Sequence, residues 1–183
     1  MPDREVNTIR QLIYYQYSKI IAKSAFGPDS KLKDYGFIKN TFRELVNSEK
    51  KWSEIIREDK QFVQTEKKCI YCGTYENLQW EHIVPKSIKI NERCPTCDKV
   101  QGIHNMIWSC MECNVKKKKK GLYHFYKELF PLDKKFYDKL PTLLEKKYLK
   151  TIYYCHQCHG TLDSGDLNND GEITVLDLDE FIC

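Results

Sequence analysis

The side chains best suited to chemistry in this chain of 183 residues fall within one short stretch. Cys69-x-x-Cys72 opens it, Glu81-His82 follows, then Asn105, and Cys110-x-x-Cys113-Asn114 closes it. A C-x-x-C turn offers two thiolates to one tetrahedral ion, so Cys69, Cys72, Cys110 and Cys113 together suit one structural Zn²⁺. Between and just after the pairs stand a carboxylate, an imidazole and two amides. Hydrolysing a phosphodiester needs an activated water, neutralised phosphate charge and help for the leaving oxygen. A hard cation, Mg²⁺ or Mn²⁺, on the oxygens of Glu81 and Asn114 would do the last two. A neutral His82 could take the proton from water, because its ordinary pKa lies near the working pH.

The stretch from Cys69 to Tyr126, about a third of the chain, resembles the HNH endonuclease family. The words that carry the resemblance are CIYCG, WEHIVPKS, HNMIWSCMECN and the lysine run after them. The resemblance implies a ββα-metal fold and a role for each residue. Glu81, just before the first His, would bind the catalytic metal, and His82 would be the general base. Asn105 would constrain the loop carrying His82, and Asn114, nine residues further, would be the second metal ligand. Two positions depart from the family pattern: Glu81 stands where Asp is more common, and Asn114 stands where the family's name has His, giving an H-N-N version. Some members add a third ligand four residues on. Here that position is Lys118, which cannot serve while protonated.

Lys116, Lys117, Lys118, Lys119 and Lys120 follow Asn114 directly. At the start of a helix their ammonium groups and the free amides could bind phosphate together, while a solvated charge run is the rival reading. Cys94-x-x-Cys97 could share a second zinc with Cys155 and Cys158, with His156 or His159 as substitutes; free thiols or a redox pair are the alternatives. Cys155-His156-Gln157-Cys158-His159 also matches a haem-attachment pattern, but that chemistry requires export. Asp166, Asn168, Asp170, Glu172 and Asp177, with Gly171 at the turn, resemble a calcium loop of the EF-hand or dockerin type. There is one copy only, so a bound Ca²⁺ competes with a plain Asp/Asn-rich turn.

The elements that must position these groups are legible in pattern. Ile9, Leu12, Ile13, Tyr17, Ile20 and Ile21 recur at helical spacing over 6–26, and Gly27-Pro28-Asp29-Ser30 breaks the run. Further helices are expected over 37–45 and 48–62. Leu78-Gln79-Trp80 reads as a strand leading into Glu81-His82, residues 86–104 as a loop, and Asn105–Trp108 as a second strand. A helix is expected from Asn114, with the lysine run in its first turns. One or two basic helices, broken near Pro141, should fill 132–153. The chain then divides into an N-terminal helical region (1–65), a nuclease-like core (66–128), a basic helical region (129–153) and a Cys/His turn with an acidic loop (154–183).

Composition agrees with a polyanionic partner. Residues 161–183 hold seven acidic residues and no Lys or Arg, so residues 1–160 carry 30 basic against 19 acidic side chains, a net +11. No apolar run approaches a membrane span, and the N-terminus MPDREVNTIR lacks a leader's apolar core. A cytoplasmic protein is therefore expected, with thiols serving metals rather than disulfides. The expected fold is α+β, a small zinc-bound ββα core flanked by helices. The expected activity is metal-dependent hydrolysis of nucleic acid, DNA foremost, with a homodimer as one route to a double-strand break. The rivals are a zinc-ribbon-like nucleic-acid-binding protein without catalysis and a redox protein using its C-x-x-C pairs.

Overall fold

The structure is a computed structural model that describes residues 4–27, 33–49, 65–86, 100 and 102–180. Helix α1 (Ile9–Phe26) begins where the Thr8 hydroxyl accepts the Gln11 amide at 3.3 Å, satisfying a donor that a first helical turn leaves free. It ends at Gly27, whose φ of +81° suits a residue without a Cβ. Helices α2 (Lys33–Val46) and α5 (Thr142–His159) both pack on α1, which therefore buries more than one face. The second helix starts four residues before the expected Phe37. The helix expected over 48–62 lies, beyond Glu49, outside the described residues.

The centre of the fold is an antiparallel pair, β1 (Leu78–His82) and β2 (Met106–Cys110), in which Trp80 faces Trp108, Glu81 faces Ile107 and His82 faces Met106. Each strand runs two residues past its expected end, so the acid and the imidazole lie on β1 itself. Strand β2 leads straight into α3 (Met111–Lys117), giving the expected ββα order. Helix α3 begins three residues before Asn114, because Cys110 caps it and the Cys113 amide points at its Sγ at 3.5 Å. Lys118 leaves the helix with φ +51°. The lysines thus fall at the end of α3 and beyond it, not in its first turns, and the helix N-terminus faces the cysteines instead.

Helix α4 (Leu122–Leu129) follows, then a short 3₁₀ turn over Phe136–Lys139. Pro141 supplies the expected break, and α5 continues to His159, where Gly160 closes it in the left-handed conformation. Cys155 and Cys158 consequently sit on a helix, not on the turn expected from 154 onward. The acidic segment ends in a 3₁₀ turn, Val175–Asp179. Backbone bonds from Ile9 to the Ser164 carbonyl and from Arg10 to the Leu162 carbonyl, both 2.8 Å, fasten that segment across the start of α1. The Arg10 guanidinium adds a two-point contact with Asp163 at 3.0 and 3.1 Å.

One hydrophobic core joins these parts. Ile13 of α1, Ile107 of β2, Phe125 of α4, Tyr148 and Ile152 of α5, and Leu178 of the last turn all belong to it. Fully burying a side chain such as Ile107 contributes about 2 kcal/mol. The fold is α+β, with five α-helices and a two-stranded sheet among the described residues. No described helix is long and apolar enough to cross a membrane.

Candidate metal and catalytic site

Cys69 and Cys72 form a knuckle just before β1. Their turn closes through Gly73 N–H to the Cys69 carbonyl and Cys69 N–H to the Thr74 carbonyl, both 2.8 Å, with Gly73 at φ +80°. Cys110 ends β2, and Cys113 lies in the first turn of α3. The four Sγ atoms lie within 4.8 Å of one another. Cys72 Sγ and Cys110 Sγ are 3.8 Å apart, close to the edge of a tetrahedron with metal–sulfur bonds of about 2.3 Å. The distance is far too long for a disulfide. Burial pushes the Cys69 thiol up, but the Cys110, Cys72 and Tyr71 amides outweigh it and leave it at about 7. Burial, thiol partners and the nearby Cys69 charge push Cys113 well above the ordinary thiol range. A bound cation would relieve that conflict. These four cysteines form a cluster that could bind zinc.

Glu81 is 5% exposed. Its Oε1 lies 3.2 Å from Lys117 Nζ and accepts from the Tyr71 hydroxyl at 3.4 Å. Its Oε2 is buried and finds no hydrogen-bond partner among the described residues. His82 Nε2 is in the same position. Buried polar atoms are rarely left without a hydrogen-bond partner. Burial, then the cations of Lys86 and Lys117, hold the His82 imidazole below its ordinary pKa, so it is neutral at pH 7. Asn114, on α3, lines the same concavity of about 290 Å³ as Glu81 and His82, together with Trp80, Pro85, Lys86, Lys118 and Lys119.

Asn105 is fully buried and uses every hydrogen-bonding atom of its amide. It donates to the Val84 and Val100 carbonyls and accepts from the Val84 amide, all at 2.8 Å. Its own carbonyl accepts from Ile83 at 2.9 Å. The segment just after His82 is therefore pinned by one side chain.

The lysines divide. Lys117 is fully buried between Glu81 and the His82 carbonyl, at 3.2 and 3.4 Å, so it cannot meet a solvent-borne nucleic acid as expected. Burial pulls its pKa down, and Glu81 opposes that shift. Lys120 pairs with Glu128. Lys116 is exposed, and Lys118 and Lys119 line the concavity. Lys86 and Trp80 belong to the site although sequence reading gave them no role. Strand alternation was the available signal for Trp80, since it stands two residues before His82 and so shares its face.

Cys94 and Cys97 lie outside the described residues. Cys155 is buried in the core, and His156 uses both ring nitrogens, on Thr161 Oγ1 at 2.8 Å and the Leu178 carbonyl at 3.2 Å. His156 thus has no nitrogen left for a metal. In the acidic loop, the Asp166 carboxylate accepts the Gly171 amide at 2.7 Å and Asp170 accepts the Glu172 amide at 2.9 Å. Asn168 accepts the Asp170 amide at 2.9 Å, and Glu172 is exposed. Asp177 is buried and caps the last turn, taking the Leu167 and Thr174 amides at 2.8 and 2.7 Å. Among the described residues the four cysteines are the metal-suited cluster, and the loop carboxylates do not converge in that way.

No family model, no curated protein and no solved structure matches the chain.

Proposed function

We propose that this protein is a metal-dependent endonuclease of the HNH type, cleaving phosphodiester bonds of nucleic acid, DNA foremost. The observation that carries the reading is the meeting of Glu81, His82 and Asn114 in one lysine-edged concavity, with Glu81 Oε2 and His82 Nε2 buried and without a hydrogen-bond partner among the described residues. A divalent ion such as Mg²⁺ or Mn²⁺, held by Glu81 and Asn114, would neutralise the phosphate and ease departure of the leaving oxygen. Neutral His82 takes a proton from a water, and that water's oxygen attacks phosphorus as the bond to the leaving oxygen breaks. Lys86, Lys118 and Lys119 draw the backbone phosphates toward the site. Asn105 keeps the His82 segment from drifting, and the cysteine cluster joins the approach to β1 with the start of α3.

A second reading has its own support. Lys117 already neutralises Glu81, which would suit a zinc-dependent nucleic-acid-binding protein with no catalytic metal. Plasmid nicking with Mg²⁺ or Mn²⁺ separates the two. Wild type should cut, and at equal zinc content His82→Ala should lose activity at least ~100-fold, as removal of a general base does, while Asn114→Ala should lose activity through its weakened hold on the divalent ion. Zinc-loaded wild type that binds the plasmid tightly and never cuts it would favour the binding protein.

A further inference from the structure

We infer that the substrate offers this site an unpaired nucleobase, which stacks on Trp80. The inference rests on the nuclease reading and names its substrate class: single-stranded nucleic acid, or a strand locally opened beside the cut. Trp80 is 44% exposed, although indole side chains are highly buried on average. It lines the same concavity as Glu81, His82 and Asn114. It sits two residues before His82, on the same face of β1, and two residues of strand span about 6.6 Å. A base lying on Trp80 would thus bring its neighbouring phosphate toward His82. Trp108, opposite on β2, backs the ring at a centroid distance of 4.1 Å and a tilt of 30°, and Lys67 lies 5.4 Å from the Trp108 ring. The pair makes a stiff platform, needing little ordering when a ligand arrives.

The charge around the platform selects its occupant. Lys86, Lys118 and Lys119 share the concavity, which suits a flat aromatic group carrying phosphates. An aromatic face beside a basic track is how proteins hold single strands without reading sequence. A paired base inside a duplex presents its edges and keeps its faces covered, so it cannot use Trp80 in this way. The rival reading is packing alone, with the indole pair serving only to stabilise the hairpin across its strands.

The test uses the full chain carrying His82→Ala, so that binding is read without cleavage. Affinities are measured for a mixed-sequence DNA single strand and for the blunt duplex of the same length, at one salt concentration. Trp80→Leu keeps apolar cover on Trp108 but has no π face, and Trp80→Phe keeps one. The single strand should bind at least ~10-fold tighter than the duplex. Trp80→Leu should weaken that binding ~5- to 150-fold, the range of one lost base stack, with Trp80→Phe recovering most of it. Equal affinity for strand and duplex, or a Trp80→Leu protein with full zinc content that binds the strand as before, overturns the inference, as does failure to bind either. Trp80-dependent strand binding by a wild type that cuts nothing would leave the platform standing and remove the nuclease reading. Efficient duplex cutting indifferent to Trp80 would do the reverse.

Discussion

At the scale of single residues, the pair Lys117–Glu81 sets the character of the site. Both groups are withdrawn from water, so each depends on the other to offset the cost of burying charge. Lys117→Met should cost about 3–5 kcal/mol in urea unfolding, because it strands the Glu81 carboxylate. Adding Glu81→Gln should recover much of that loss. If the double variant is no more stable than the single one, the two charges are not coupled. Asn105→Ala leaves three buried backbone groups unmatched, at Val84 N–H, Val84 C=O and Val100 C=O, and should cost on the order of 3 kcal/mol by the same measurement. Residue types at this site were legible in the sequence, because Glu-His and Asn at set spacing suggest their chemistry directly. Lys117 was not. Five adjacent lysines look equivalent on paper. Only the end of α3 distinguishes them, turning the fourth-from-last ammonium of the run inward on the side of Asn114 and sending Lys118 outward at positive φ.

At the scale of elements, the hairpin and α3 are too small to hold themselves in register. A two-stranded pair is marginal in water without further support, and a helix of seven residues is marginal too. The cysteine cluster joins their ends, so metal binding is expected to supply part of the folding energy. Chelation, or Cys110→Ser, should lower the melting temperature and uncouple Glu81 from Asn114. A melting curve indifferent to zinc would show that the core alone holds the hairpin. Gly121 makes a different kind of joint. A Cβ there would overlap the buried Asp179 carboxylate, which accepts the His124 amide at 2.8 Å at the start of α4. Gly121→Ala should therefore destabilise the protein although its φ of −63° is open to any residue. Asp179→Ala in the same chain should not restore stability, because the Asp179 Cβ alone would lie 2.5 Å from the new methyl and the cap on His124 is lost. Helical spacing of apolar residues located α1, whereas both strands were read two residues short and the helical region holding α5 six residues short at their C-terminal ends. The ends of α3 and α5 were missed because capping by Cys110 and Gly160 decides them.

At the scale of the whole molecule, two buried titrating groups on α5 set opposing pH limits. Burial holds His156 at about 4, neutral, with Nε2–H donating to Leu178 and Nδ1 accepting from Thr161. Its folded pKa lies below the unfolded value, so its stabilisation is present above about 6.5 and is lost as pH falls toward 4, roughly 3 kcal/mol over the interval. Glu145 runs the other way. Burial raises it to about 7 against the Tyr123 hydroxyl bond and the Lys19 and Lys23 cations, with Asp138 adding to the rise. The unfolded chain ionises it near 4.5, so stability drains as pH climbs from there through 7. Between pH 4.5 and 6.5 the two trends offset each other, and the wild type should show a flat profile in that range from these groups. Glu145→Gln keeps an acceptor for Tyr123 and cannot ionise. Relative to wild type at matched zinc content, it should be near neutral at pH 5 and more stable at pH 8. The gain should reach at most about 3 kcal/mol, less where the carboxylate edge meets solvent. With the Glu145 titration removed, the loss below pH 6.5 should become visible in urea midpoints. A Glu145→Gln advantage that does not grow with pH would mean the carboxylate is already ionised at little cost, held by the lysines of α1.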